Sequence, residues 1–278
     1  MHKLFWYDLR IGMKSNIVKL TAYIFIVIGI CIIGGNTINN SSEFYKVTPD
    51  VLDYICFVLG GPRYIPEGMI EIYTIPVLWL IIPVMIGYII GYYAMTDLHK
   101  YGQQVLLRSA SRTRWWLSKC IWCGLMVVIA YAIIYVFTIL TAFISGATFD
   151  WKLTEEIAVN ACNVSYIGGT DNEVRIILLL MPVIVSLALS ILQILLGLVF
   201  SPIIGFMLTQ SIVFLATIYH KSFLIANYAM LSHNRLTCDS NIDYIEGIYV
   251  CVWVYIISLI LGILYFRGYN ILPKNQEI

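Results

Sequence analysis

Between Arg175 and His220 lie 44 residues, Ile176 to Tyr219, without one Asp, Glu, Lys or Arg. As a single helix this run would be about 66 Å long, roughly twice the hydrocarbon core of a bilayer. A helix with no charged face belongs in lipid, and one of that length has to turn back on itself. The turn is written at Phe200-Ser201-Pro202: Pro202 lacks the N–H that continues a helix, and Ser201 can cap the next one. The whole chain shares this character, being 60% hydrophobic and 12% charged over 278 residues, with a mean hydropathy of +0.84. That leaves too little polar surface to wrap a water-soluble core. In lipid only helices and closed barrels satisfy their backbone groups, and continuous rather than alternating apolar runs select helices.

The expected fold is an all-α polytopic membrane protein with six transmembrane helices, at about 18–35, 72–93, 115–139, 176–199, 202–219 and 247–266. It forms a single transmembrane domain over 1–278, with outer loops at 36–71, 140–175 and 220–246. An even count puts both termini on one side, and charge chooses the side. The N-terminus, the Thr96–Lys119 segment and the C-terminus together hold 11 cations against 3 anions; the opposite side holds 6 against 13. The positive-inside rule therefore makes both termini cytoplasmic, and the expected location is a cell (plasma) membrane, bacterial in type. The first apolar run is long enough to span and lacks a small-residue cleavage site, so it is read as an anchor.

Residues 1–15 read as an interfacial helix lying flat on the inner surface, with Phe5, Trp6, Leu9 and Met13 on one face and Lys3, Arg10 and Lys14 opposite. The run Ser222–Leu231 is too short to cross; it dips into the outer leaflet or lies along it. Cys56, Cys162 and Cys238 fall outside, enough for one disulfide with one thiol left over, and spacing does not choose the pair. Cys120 and Cys123 form a CxxC without a second pair, read as two small hydrophobes and not a metal site.

Catalytic signatures are missing. There is no phosphate loop, no HExxH, no GxSxG and no repeated half. No acid or base stands at mid-membrane, where ion-coupled carriers usually place one. The expectation is a transport body rather than an enzyme, with no metal and no cofactor of its own and no nucleic-acid partner. Small and polar residues do mark the spans: Gly87 and Gly91 on the second, Ser186, Ser190 and Gln193 on the fourth, Thr209 and Gln210 on the fifth. Helix packing and a transport path both fit them.

The remaining anomaly is Thr96–Lys119, where Lys100, Arg108, Arg112, Arg114 and Lys119 crowd together with the single anion Asp97. Thr96 reads as the cap of a helix starting at Asp97, with Leu98, Tyr101 and Val105 as its apolar stripe. A solvated loop that only fixes topology is the plain alternative. An interfacial helix, six spans and an inner loop ending Arg108-Ser109-Ala110-Ser111-Arg112, with Trp116 and Lys119 leading into the third span, resemble the type-2 permease family of ATP-binding-cassette (ABC) transporters. The resemblance covers the layout of the whole chain. It implies that the loop is a coupling helix seated on a separate ABC ATPase subunit, which would hold the ATP and Mg. Asp97, Leu98, Lys100, Tyr101, Gln104, Val105 and Arg108 would be the contact. It further implies pairing with a second permease copy or a sibling, membrane lipids around the pair, and export of an amphipathic cargo such as an antimicrobial peptide, lipid or drug-like molecule. A membrane scaffold or peptide sensor without transport, and an ion-gradient-driven carrier, are the rival readings.

Overall fold

Helix α1, His2–Tyr45, runs without interruption through the basic N-terminal segment and the first apolar run. The flat helix expected over 1–15 is thus continuous with the first span. The local reason is visible at the join. Neither Pro nor Gly separates them, and Ser15 and Asn16 do not cap a new helix; both donate back to the Gly12 carbonyl (3.0 and 3.1 Å). The computed structural model describes residues 2–66, 73–99 and 112–268.

After α1 come α2 (Val51–Leu59), α3 (Val77–Gly91), α4 (Tyr93–His99), α5 (Arg112–Ile144), α6 (Glu155–Ala161), α7 (Asp171–Leu179), α8 (Met181–Val199) and α9 (Pro202–Ile218). Two 3-10 turns, Ile225–Ala229 and Leu231–His233, precede α10 (Tyr244–Gly268). The described residues are helical with no strand, and five stretches are long and apolar enough to cross a membrane: Asp8–Tyr45, Val77–Leu98, Arg112–Ile144, Asp171–Val199 and Tyr244–Gly268. The chain is a helical, membrane-embedded protein. The sixth expected span is α9, which has only 17 residues, about 26 Å against a core of about 30 Å.

Each break has a local cause. Pro182 cannot donate to the turn before it, and the chain steps from α7 to α8 at Leu180. Ser201 accepts from the Ile204 N–H (3.2 Å) and Pro202 opens α9. The step from α3 to α4 comes at Tyr92, so the short helix begins at Tyr93 and not at Asp97. Thr96 is accordingly no cap. It sits inside α4 with its hydroxyl donating to the Tyr92 carbonyl (2.7 Å), as helix-interior threonines do.

Helix α8 is the centre of the bundle, packed against α3, α5, α9 and α10. Its contact with α9 is backbone to backbone. A Cβ on Gly205 would stand 2.6 Å from Gly197 N and 2.7 Å from the Gln193 carbonyl, so only glycine admits this approach.

The loops at the other end from Asp97 fold into a buried layer. Asp50 and Asp53 form a capping box at the start of α2, and both reach further. Asp50 accepts from the N–H groups of Asp150 (2.7 Å) and Lys152 (3.1 Å), and Asp53 from that of Thr154 (2.9 Å). The segment Leu224–Leu231 is buried in protein. Its backbone is therefore not exposed to lipid, the condition under which non-helical chain survives at membrane depth. Asn227 ties it down by donating to the Tyr219 (2.9 Å) and Lys221 (3.1 Å) carbonyls.

Candidate functional site

The charges of the cationic segment do not all face solvent. Lys119 lies in the third turn of α5 and is 0% exposed. Its ammonium pairs with Asp8 of α1 and, at 2.6 Å, with Asp97 of α4. Asp8 also accepts from the hydroxyls of Ser118 (2.5 Å) and Tyr93 (2.9 Å). The rings of Tyr93 and Trp115 cover the ammonium at 4.5 and 5.1 Å, and cations are attracted to such faces. Two carboxylates, one ammonium and two hydroxyls therefore knot α1, α4 and α5 together just before residue 100.

This revises the reading of the segment. Asp97 and Leu98 are 6% and 4% exposed, turned into the bundle. Lys100, Tyr101, Gln104, Val105 and Arg108 lie outside the described residues. The sequence alone places Lys119 at the end of the cationic segment, leading into the third span, and gives no sign of a buried acid–base pair. The three charges come from positions 8, 97 and 119, so no spacing rule joins them. The one available signal is a lysine placed behind Trp115 and Trp116, the last charge on a helix that is apolar from there on.

The polar residues of the spans do converge. Gln193 donates to the Gly87 carbonyl (2.8 Å) and accepts from Thr209 (3.3 Å). Gln210 reaches the Pro83 carbonyl (3.5 Å). Side chains at Gly87 or Gly91 would collide with these glutamines, at 2.6 and 2.4 Å. Ser186 meets the Tyr131 hydroxyl (2.8 Å). With Ser190 and Gln193, Ser186 lines a cavity of about 20 Å³ beside Gln210, room for about one water. Here the GxxxG of α3 accommodates glutamines instead of a second backbone, and the cluster joins α3, α8 and α9 as interhelical glue.

In the buried loop layer at the far end from Asp97, His233 is 0% exposed and stacks edge-on against His220 at 4.2 Å between ring centres. The Asn227 amide N–H groups are spent on two carbonyls, so its oxygen faces His233 Nδ1 (3.0 Å). That fixes Nδ1–H as donor and leaves Nε2 as the bare nitrogen. Burial, with His220 adding to it, holds His233 well below the usual imidazole range. Burial pushes the Asp53 carboxyl the other way, up to about 6. The signs are opposite. The His233 contribution to stability is complete above about 6.5 and lost as pH falls below it; the Asp53 contribution is complete below about 3.8 and lost as pH rises through about 6. Hydrogen exchange corrected for intrinsic rate should show residues 232–238 losing protection from pH 7 to 5 while the α2 cap gains it. His233→Gln should abolish the first trend and Asp53→Asn the second; parallel trends in both segments would refute the assignment.

Cys56, Cys162 and Cys238 are also sorted. The Cys162 thiol donates to the Asp53 carbonyl (3.4 Å), and the neighbouring Cys56 thiol, together with burial, raises it well above the ordinary thiol range. Cys238 instead donates to the Asn234 carbonyl (3.3 Å). Mild oxidation of the solubilised chain is expected to join Cys56 to Cys162, a loss of about 2 Da by intact mass since two thiol hydrogens leave, with Cys238 still open to alkylation after unfolding. A Cys238-containing product would refute the pairing.

Among the described residues, no three His, Cys, Asp or Glu side chains are grouped to hold a metal ion. A family model, described as a protein of unknown function (DUF2705), matches residues 24–272, most of the chain. The chain belongs to that family. The DUF2705 match takes in Asp97, Lys119 and the glutamine cluster, and begins after Asp8. Searches of curated proteins and of solved structures returned no match.

Proposed function

We propose that this DUF2705 chain is the membrane permease subunit of an ABC exporter in a bacterial plasma membrane, with both termini cytoplasmic. The observation that supports it best is the knot at Lys119. A segment that receives force from a partner has to be fastened to the helices it moves. Helix α4 enters the cationic stretch and is fixed by Asp97 to α5 and through Lys119 to Asp8 of α1. Asp97 and Leu98 then act as anchors, and the partner-facing contact falls to Lys100, Tyr101, Gln104, Val105 and Arg108. ATP and Mg are held, and ATP hydrolysed, by the separate subunit. A second permease copy or sibling completes the pathway, and the cargo is amphipathic. Rigid-body rocking of the two bundles carries the stroke.

The same knot favours one other reading, an ion-gradient-driven carrier, because buried ionisable groups within membrane helices mark ion routes as well. One experiment separates them. The chain is purified from its native membrane with and without the double change Tyr101→Asp and Val105→Asp. Co-purification of an ATP-hydrolysing polypeptide, lost in the double variant, is the result expected of the exporter. Reconstituted vesicles that move cargo with a proton or sodium gradient and without nucleotide would overturn it in favour of the carrier.

A further inference from the structure

The glutamine cluster leaves the Gln210 side-chain carbonyl unsatisfied. The amide nitrogen of Gln210 reaches the Pro83 carbonyl (3.5 Å), while Oε1 is buried and, among the described residues, has no hydrogen-bond partner. A buried acceptor left in that state is costly. Turning the amide over gives no relief, since it would set Oε1 against the Pro83 carbonyl, two acceptors face to face. The nearby protein donors are spent elsewhere. Gln193 donates to the Gly87 carbonyl, and Ser186 is paired with Tyr131. The Thr209 hydroxyl has the Gly205 and Phe206 carbonyls of its own helix (both 3.0 Å) as well as Gln193.

The donor has to come from a ligand, and the cavity of about 20 Å³ lined by Gln210, Ser186, Ser190 and Gln193 has room for it. One water needs about 10–15 Å³ of such space and two to four polar partners, and cavities without polar partners stay dry. We propose that this cavity is a binding site for one ordered water, which donates to Gln210 Oε1 and takes the Ser190 and Ser186 hydroxyls as its other partners. A cation suits the site poorly. Its lining groups are neutral, with no Asp or Glu among them, so a charge there would be uncompensated. The water is a structural ligand of the junction of α3, α8 and α9. By satisfying Oε1 it leaves the Gln210 nitrogen to hold α3 at Pro83, the residue with no N–H of its own to give. The inference is independent of whether the chain exports anything.

Radiolytic labelling of the full chain in detergent tests this. A short X-ray pulse converts water to hydroxyl radicals, which oxidise the side chains beside them before diffusing away, and peptide mass spectrometry finds the added oxygen. Ile86 lines the cavity and Ile134 of α5 does not, and both are buried isoleucines of equal intrinsic reactivity. The expected result is oxygen added to Ile86 and Leu189 and not to Ile134. Val213→Ile puts a methyl group into the cavity while Gln210 stays, and it should abolish the label at Ile86. Gln210→Leu should do the same, with the unfolding midpoint confirming that each variant is folded. An unlabelled Ile86 in the folded wild type would overturn the water. Equal labelling of Ile134 would mean solvent leaking through the bundle and would overturn the site. Label that survives Val213→Ile would overturn its place beside Gln210, and label lost on exchanging potassium for sodium would overturn water in favour of a cation.

Discussion

Replacing Lys119 by Met should destabilise the solubilised protein by roughly 3 to 5 kcal/mol, the usual cost of removing one partner from a buried ion pair. The reason is not the lost attraction alone. Lys119 is fully buried between Asp8 and Asp97, and its removal leaves two buried carboxylates without the cation they share. Asp8 keeps the Ser118 and Tyr93 hydroxyls, which soften the effect at one carboxylate. The informative comparison is rescue. Lys119→Met combined with Asp8→Asn and Asp97→Asn carries no net buried charge, and replacing a whole buried network by neutral groups is often close to neutral. The triple variant should recover most of the stability that the single variant loses, read as midpoints of chemical unfolding in detergent. A single variant as stable as wild type would mean that the carboxylates are solvated and that the knot does not exist.

Gly205→Leu should cost about 3 kcal/mol, at the upper end for overpacking. Most crowded positions relax because a flexible side chain moves aside. This one cannot, since the atoms nearest its Cβ direction are backbone atoms of Gly197 and Gln193. Relief requires α9 to withdraw from α8, which also pulls Thr209 from Gln193. Gly29→Ala is the matched control, because a Cβ there meets nothing within 4 Å, and alanine is the better helix former by about 1 kcal/mol. Unfolding midpoints should fall for Gly205→Leu and hold or rise for Gly29→Ala. Equal behaviour of the two would show that α8 and α9 are not in backbone contact.

Hydrophobic runs and breakers carried most of the fold. The all-helical, lipid-embedded class, the split at Phe200-Ser201-Pro202 and the capping role of Ser201 were legible because each depends on neighbours in sequence. What was not legible depends on partners far apart. Asp8, Asp97 and Lys119 look like ordinary inner-side charges until three helices bring them together. Asp50 and Asp53 enter the charge count only as two of the 13 acids on the opposite side, although their i, i+3 spacing is a capping signature; only the fold reveals the N–H groups of Asp150, Lys152 and Thr154. Thr96 was misplaced because a Ser/Thr/Asp/Asn residue before an apolar stripe signals a helix start, yet the same hydroxyl can bond backward inside a helix. Gln193 and Gln210 stood out as polar residues in lipid, and geometry then tied them to Gly87 and Pro83 across three helices.

The acids at the head of α2 also impose an order on biogenesis. Their acceptors are satisfied by chain that lies 98 to 102 residues downstream. While the chain emerges, Asp50 and Asp53 have to wait, wet, until α5 has crossed and the stretch from 148 to 154 arrives. The lid over α2 is therefore a late product of assembly, and a nascent chain halted after α5 carries an unfinished roof with two thirsty carboxylates beneath it.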